Sequence, residues 1–190
     1  MPRDISHRPL DNIILVGMPG VGKSTTGVLL AKGTAKDYID TDLVIQNFTC
    51  EPLKDTIERI GAIGFRTLEE RCILWCEHRN CVMATGGSVI YSGVAMEHLG
   101  SNGIFVHLSM EYEGLRRRLD NLAGRGVLME TGQDLADLYA ERMPLYEKWA
   151  DITVCCDSLS PAAVVARIVA SLNGTHLQSC SNPPGELRLC

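Results

Sequence analysis

The chain has 190 residues, with 18 Lys+Arg against 23 Asp+Glu and a formal net charge of −5. That length suits one domain whose core needs no disulfide or metal staple. The acidic balance argues against a nucleic-acid binder, which needs clustered positive charge. No apolar run approaches the roughly 20 residues that span a bilayer, and no apolar leader precedes the first predicted strand, so a cytoplasmic protein is expected.

Asn12–Val16 is short, apolar and β-branched, and reads as a buried strand running into Gly17. Val28, Leu29, Leu30 and Ala31 predict a helix over Ser24–Lys32, and Tyr38–Asp40 a short strand. Three helices are predicted next, over Asp42–Asn47, Pro52–Ile60 and Phe65–His78. Cys81–Ala84 is a buried strand ending at Gly86-Gly87, and Ile104–Leu108 another, followed by a helix over Met110–Asn121. Asp134–Lys148 is helical, Ile152–Cys155 is a fifth strand, and Pro161–Leu172 is a last helix with proline in its first turn. Strands alternating with helices predict an α/β fold, a parallel sheet covered on both faces. The segment 173–190, with Pro183-Pro184-Gly185, has no apolar period and is expected to be a flexible tail on a single domain over 1–172.

The eight cysteines include no C-x-x-C pair, and Cys72, Cys76, His78 and Cys81 match no common zinc spacing. Buried free thiols acting as small hydrophobes are expected.

Gly17-Met18-Pro19-Gly20-Val21-Gly22-Lys23-Ser24 fits G-x-x-x-x-G-K-[ST], and it lies between a buried strand and a helix. Glycines let backbone N–H groups converge on a polyphosphate, and the helix start adds unsatisfied donors and positive dipole. Gly17, Pro19, Gly20, Val21, Gly22, Lys23, Ser24 and Thr25 therefore form the predicted triphosphate site. Lys23 supplies a charge to the β- and γ-phosphates and Ser24 a hydroxyl ligand to Mg2+. No Asn-Lys-x-Asp element of a GTPase is present, and no apolar strand ends in paired acids as in motor-like ATPases. Small-molecule kinases remain. The second predicted strand ends in Asp40-Thr41-Asp42, and one aspartate can serve Mg2+ while the other faces an acceptor hydroxyl. Helix capping explains one of these aspartates but hardly both.

Gly17–Thr25, Asp40-Thr41-Asp42, Phe65-Arg66-x-x-Glu69, Gly86-Gly87, a segment bearing Arg125, and Arg142-x-Pro144-Leu145-Tyr146 with Ala150 follow one another in this order. From about Asn12 to Leu172 the chain resembles the shikimate kinases in these motifs. The resemblance implies a nucleoside-monophosphate-kinase-like P-loop fold, with a five-stranded parallel sheet in the order 2-3-1-4-5. It implies Mg2+-dependent transfer of the ATP γ-phosphate to the 3-hydroxyl of shikimate, giving shikimate 3-phosphate and ADP for aromatic amino-acid synthesis, by a monomer. Arg66 and Arg142 would clamp the acceptor carboxylate, since guanidinium matches a carboxylate fork. Asp42 would orient the attacking hydroxyl, and Gly86 and Gly87 would bring backbone donors close to the ring. Asp40 joins Ser24 at the metal. The stretch 119–132 would be a mobile lid whose Arg125 closes over the transferring phosphoryl group, and Arg117 of Arg116-Arg117-Arg118 would stack on adenine.

Some positions depart from the family pattern. Gly61-Ala62-Ile63-Gly64 stands where acidic residues usually precede Phe-Arg, Ser88 replaces a third glycine, and the lid reads Arg125-Gly126-Val127. Ser88 either crowds the acceptor or offers it a hydroxyl. The alternatives are a sibling kinase for another polyol acid or a nucleotide, and a non-catalytic ATP-binding module. Retention of Lys23, Asp42 and Arg125 argues against the second of these.

Overall fold

The structure is a computed structural model and describes residues 11–120 and 132–178. Strand β1 (Asn12–Val16) is buried along its whole length, as an apolar run with no polar face must be. It pairs in parallel with β3 (Cys81–Ala84) on one side and β4 (Gly103–Ser109) on the other, with Ile14 opposite Met83 and Phe105. The outer strands are β2 (Asp37–Asp40), which is partly exposed, and β5 (Ile152–Cys155). All neighbours are parallel and the order is β2-β3-β1-β4-β5, as the resemblance implied.

Helix α1 (Lys23–Thr34) packs on β3 and against α7 (Pro161–Gln178), while α2 (Thr41–Thr49) packs on α3 (Leu53–Trp75). α4 (Gly93–Gly100) lies between α3 and β4, and α6 (Leu135–Trp149) leans on β4 and on α5 (Tyr112–Asp120). Leu15, Val16, Leu30, Phe105 and Ile168 are fully buried in the main core.

The helices match the sequence expectation unevenly. The two helices predicted over Pro52–Ile60 and Phe65–His78 are both present, as the two arms of α3 on either side of a kink at Gly61, where φ of 71° and ψ of 173° are not helical. That backbone suits glycine alone, and a Cβ there would meet nothing within 4 Å, so the bend is set by conformation and not by packing. A 3-10 turn over Val89–Tyr91 and helix α4 were not predicted. Their apolar residues are interrupted by glycines, and the one local signal is Ser92, whose hydroxyl caps α4 at Ala95 N. Helix α7 runs to Gln178, past the start of the expected tail at Asn173, because nothing between Leu172 and Gln178 is a helix breaker except Gly174.

Candidate active site

The carboxyl ends of the parallel strands meet at one rim, where ligands bind in open α/β sheets. A cavity of about 400 Å³ opens there, walled by residues 19–26, Asp42, Gly86, Gly87, Ser88 and Arg142. Leu53, Ile57 and Phe65 also line it, as do Arg118, Leu119, Leu159, Pro161 and Val164.

The loop after β1 wraps this cavity. Gly17, Gly20 and Gly22 have φ of 145°, 81° and 109°, and a Cβ on Gly17 would stand 2.5 Å from Leu108 O. Gly22 precedes α1 with no side-chain cap, and no acid lies in the first turn. The helix start therefore offers its free N–H groups and dipole to an anion. Lys23 is 9% exposed, and its ammonium donates to Gly17 O at 2.7 Å and Met18 O at 3.0 Å. Burial pulls its pKa down to about 8, opposed by Asp42.

The two aspartates differ in their surroundings. Asp40 caps α2, accepting from Asp42 N at 3.1 Å, and also accepts from the Tyr38 hydroxyl at 3.0 Å. That hydroxyl engages Ser24 as well, which ties the two predicted metal-binding residues to one point. Asp42 lines the cavity, and burial with the nearby Asp40 charge raises its pKa while Lys23 opposes the rise.

Arg66 and Arg142 converge on one ring. Tyr91, in the 3-10 turn, has the Arg66 guanidinium 4.2 Å from its centroid and that of Arg142 5.3 Å away. Arg142 Nε donates to the Tyr91 hydroxyl at 3.2 Å, and Arg142 is 1% exposed. Arg142 reaches the main cavity. Arg66 instead lines a smaller adjoining cavity of about 250 Å³, which shares Ser88 with the first. Gly86 and Gly87 line the main cavity. Gly86 N–H donates to Thr41 Oγ1 at 2.9 Å, and Gly87 O accepts from the Tyr146 hydroxyl at 2.7 Å. Tyr146 stacks on His107 of β4 with centroids 5.2 Å apart. Burial holds His107 near pKa 4, so it is a neutral ring under the site.

Sequence reasoning singled out Arg117 for the base, but Arg117 is exposed on α5 and its Nε donates to Glu113 O. Its neighbour Arg118 lines the cavity and donates to Val21 O at 2.9 Å. Helical phase distinguishes them: Arg118 lies three residues from the buried Leu115 and shares its face. Tyr91 and Tyr146 were missed as structural supports for the site; Tyr91 lies in an element with no periodic pattern. Arg125 and the rest of 121–131 lie outside the described residues. Six cysteines among the described residues are free thiols, and no metal-binding cluster of His, Cys, Asp or Glu occurs there. No helix among the described residues is long and apolar enough to cross a membrane.

A phosphate loop after the central strand, with carboxylates after the next, defines a P-loop phosphotransferase. The family model described as shikimate kinase matches residues 19–173. A shikimate kinase of Mycobacterium avium is 36% identical over 168 residues, covering 85% of this chain and 93% of the relative. One of Thermodesulfovibrio yellowstonii is 32% identical over 84% of this chain and 94% of its own. Among solved structures, shikimate kinase from Acinetobacter baumannii in complex with shikimate matches with a TM-score of 0.82 at 30% identity, covering 88% of this chain and 96% of that one. The chain belongs to the shikimate kinase family.

Proposed function

We propose that this chain phosphorylates shikimate, moving the γ-phosphoryl group of ATP to the 3-hydroxyl, as a cytoplasmic monomer that uses Mg2+. The observation that carries this reading is the placement of the phosphate loop, Asp42 and Arg142 around one cavity. The loop N–H groups and Lys23 hold the polyphosphate and draw off charge that builds on the transferring group. Arg118, Leu159 and Pro161 form the nucleoside end. Arg142 and Arg66 bind the acceptor carboxylate, with Tyr91 keeping both guanidiniums in place. Asp42 accepts from the attacking hydroxyl, and its raised proton affinity suits a group that receives that proton as the P–O bond forms. Ser24 and Asp40 are hard oxygen donors gathered by Tyr38, which fits an ion that takes few protein ligands and keeps phosphate oxygens and waters. When bound, Mg2+ supplies charge neutralisation at the β- and γ-phosphates.

The test is ADP release coupled to shikimate addition, with shikimate 3-phosphate identified as product. Hydrolysis unstimulated by shikimate, or stimulation by a different acceptor alone, refutes the assignment.

A further inference from the structure

Ser88 follows the glycine pair at the end of β3 and is 4% exposed. Its hydroxyl donates to Glu69 Oε2 at 2.6 Å. Glu69 is 2% exposed, and its other oxygen, Oε1, is buried without a hydrogen-bond partner. That oxygen faces Gly86: a Cβ there would stand 2.2 Å from Oε1 and 2.9 Å from Asp42 Oδ1. One carboxyl oxygen is thus tied back to Ser88, while the other is packed against Gly86 near Asp42 Oδ1; Glu69 itself lines the smaller cavity with Arg66 and Ser88, beside the main one. A buried acceptor left unmatched is costly, and a ligand hydroxyl placed there relieves the cost.

We propose that Ser88 is a positioning residue that acts through Glu69, holding Oε2 so that Oε1 meets a ring hydroxyl of the acceptor next to Asp42. The inference rests on the shikimate reading above. The last torsion of a glutamate is soft, so without this bond nothing fixes where Oε1 points. The groups facing Glu69 are Asp42 of α2, Lys23 of α1, and Arg142 and Tyr146 of α6, with Arg66 and Cys72 on its own helix. Burial lifts the Glu69 pKa to about 7, and the Ser88 hydroxyl opposes this by donating to the charged form. Ionised Glu69 accepts from a hydroxyl more strongly than the neutral acid does. Acceptor binding therefore weakens as pH falls through about 7.

The experiment measures shikimate dissociation constants calorimetrically, and KM for shikimate and ATP, from about pH 5 to 9. Wild type, Ser88→Ala, Ser88→Gly, Glu69→Gln and the double variant Ser88→Ala/Glu69→Gln are compared, with folding of each checked by its melting curve. Ser88→Ala and Ser88→Gly should both move the binding midpoint up by roughly one pH unit. They should weaken shikimate roughly fivefold to tenfold at neutral pH and leave KM for ATP unchanged. Glu69→Gln should abolish the midpoint, and adding Ser88→Ala to it should change nothing further, because the two act as a unit. An unmoved midpoint in a folded Ser88→Ala or Ser88→Gly protein overturns the inference. So does a Glu69→Gln protein that keeps the wild-type pH dependence. Failure of the wild type to phosphorylate shikimate is a separate result, seen before any variant is made, and it overturns the functional reading itself.

Discussion

Glu69→Gln should stabilise the protein above neutral pH, at the expense of the site. Glu69 is 2% exposed, and its pKa in the fold is raised from 4.5 to about 7. Burial is the main cause and Asp42 adds to it, while Ser88, Arg142 and Lys23 oppose it. Each pKa unit is worth about 1.4 kcal/mol, so ionising this carboxyl inside the fold costs about 3 kcal/mol relative to the unfolded chain. The folded pKa lies above the unfolded one, so the group's contribution to stability is complete below 4.5 and is lost as pH rises through about 7. Glutamine keeps the shape, does not titrate, and turns an amide N–H toward Asp42. The variant should match the wild type near pH 4 and exceed it by about 3 kcal/mol near pH 8. Urea unfolding at a series of pH values reads this as a midpoint difference that opens between those limits. Equal stability at alkaline pH would refute the reasoning, because Arg142 and Lys23 would then solvate the carboxylate as well as water does. A gain independent of pH would also refute it, since packing and not ionisation would be responsible.

Asp42→Asn should lower kcat and kcat/KM together, by roughly 10²–10⁴-fold, in steady-state assays. Arg142→Lys keeps the charge but loses the fork, so KM for shikimate should rise roughly tenfold or more with little change in KM for ATP. Arg118→Ala should raise KM for ATP several-fold while Arg117→Ala leaves it unchanged, because only Arg118 reaches the cavity. Gly86→Ala should abolish acceptor stimulation of ADP release in a folded protein, since its methyl would displace both Glu69 Oε1 and Asp42 Oδ1.

The phosphate loop, the strand pattern and Asp40-Thr41-Asp42 were legible without coordinates, because each depends on residues adjacent in the chain. An apolar β-branched run must bury both faces, and G-x-x-x-x-G-K-[ST] carries its own turn geometry and helix start. The strand order itself came from family resemblance, not from periodicity. Tertiary structure decided what depends on distant residues meeting. Arg66 and Arg142 lie on α3 and α6, and the ring that gathers them, Tyr91, sits in a 3-10 turn that no local pattern announces. From sequence Ser88 was read only against the acceptor, as crowding it or offering it a hydroxyl, whereas the fold gives that hydroxyl a partner within the protein, the buried Glu69. Local residue order specifies dihedrals and burial, whereas a side chain's partner and proton affinity arise only when the packed chain removes water from around it.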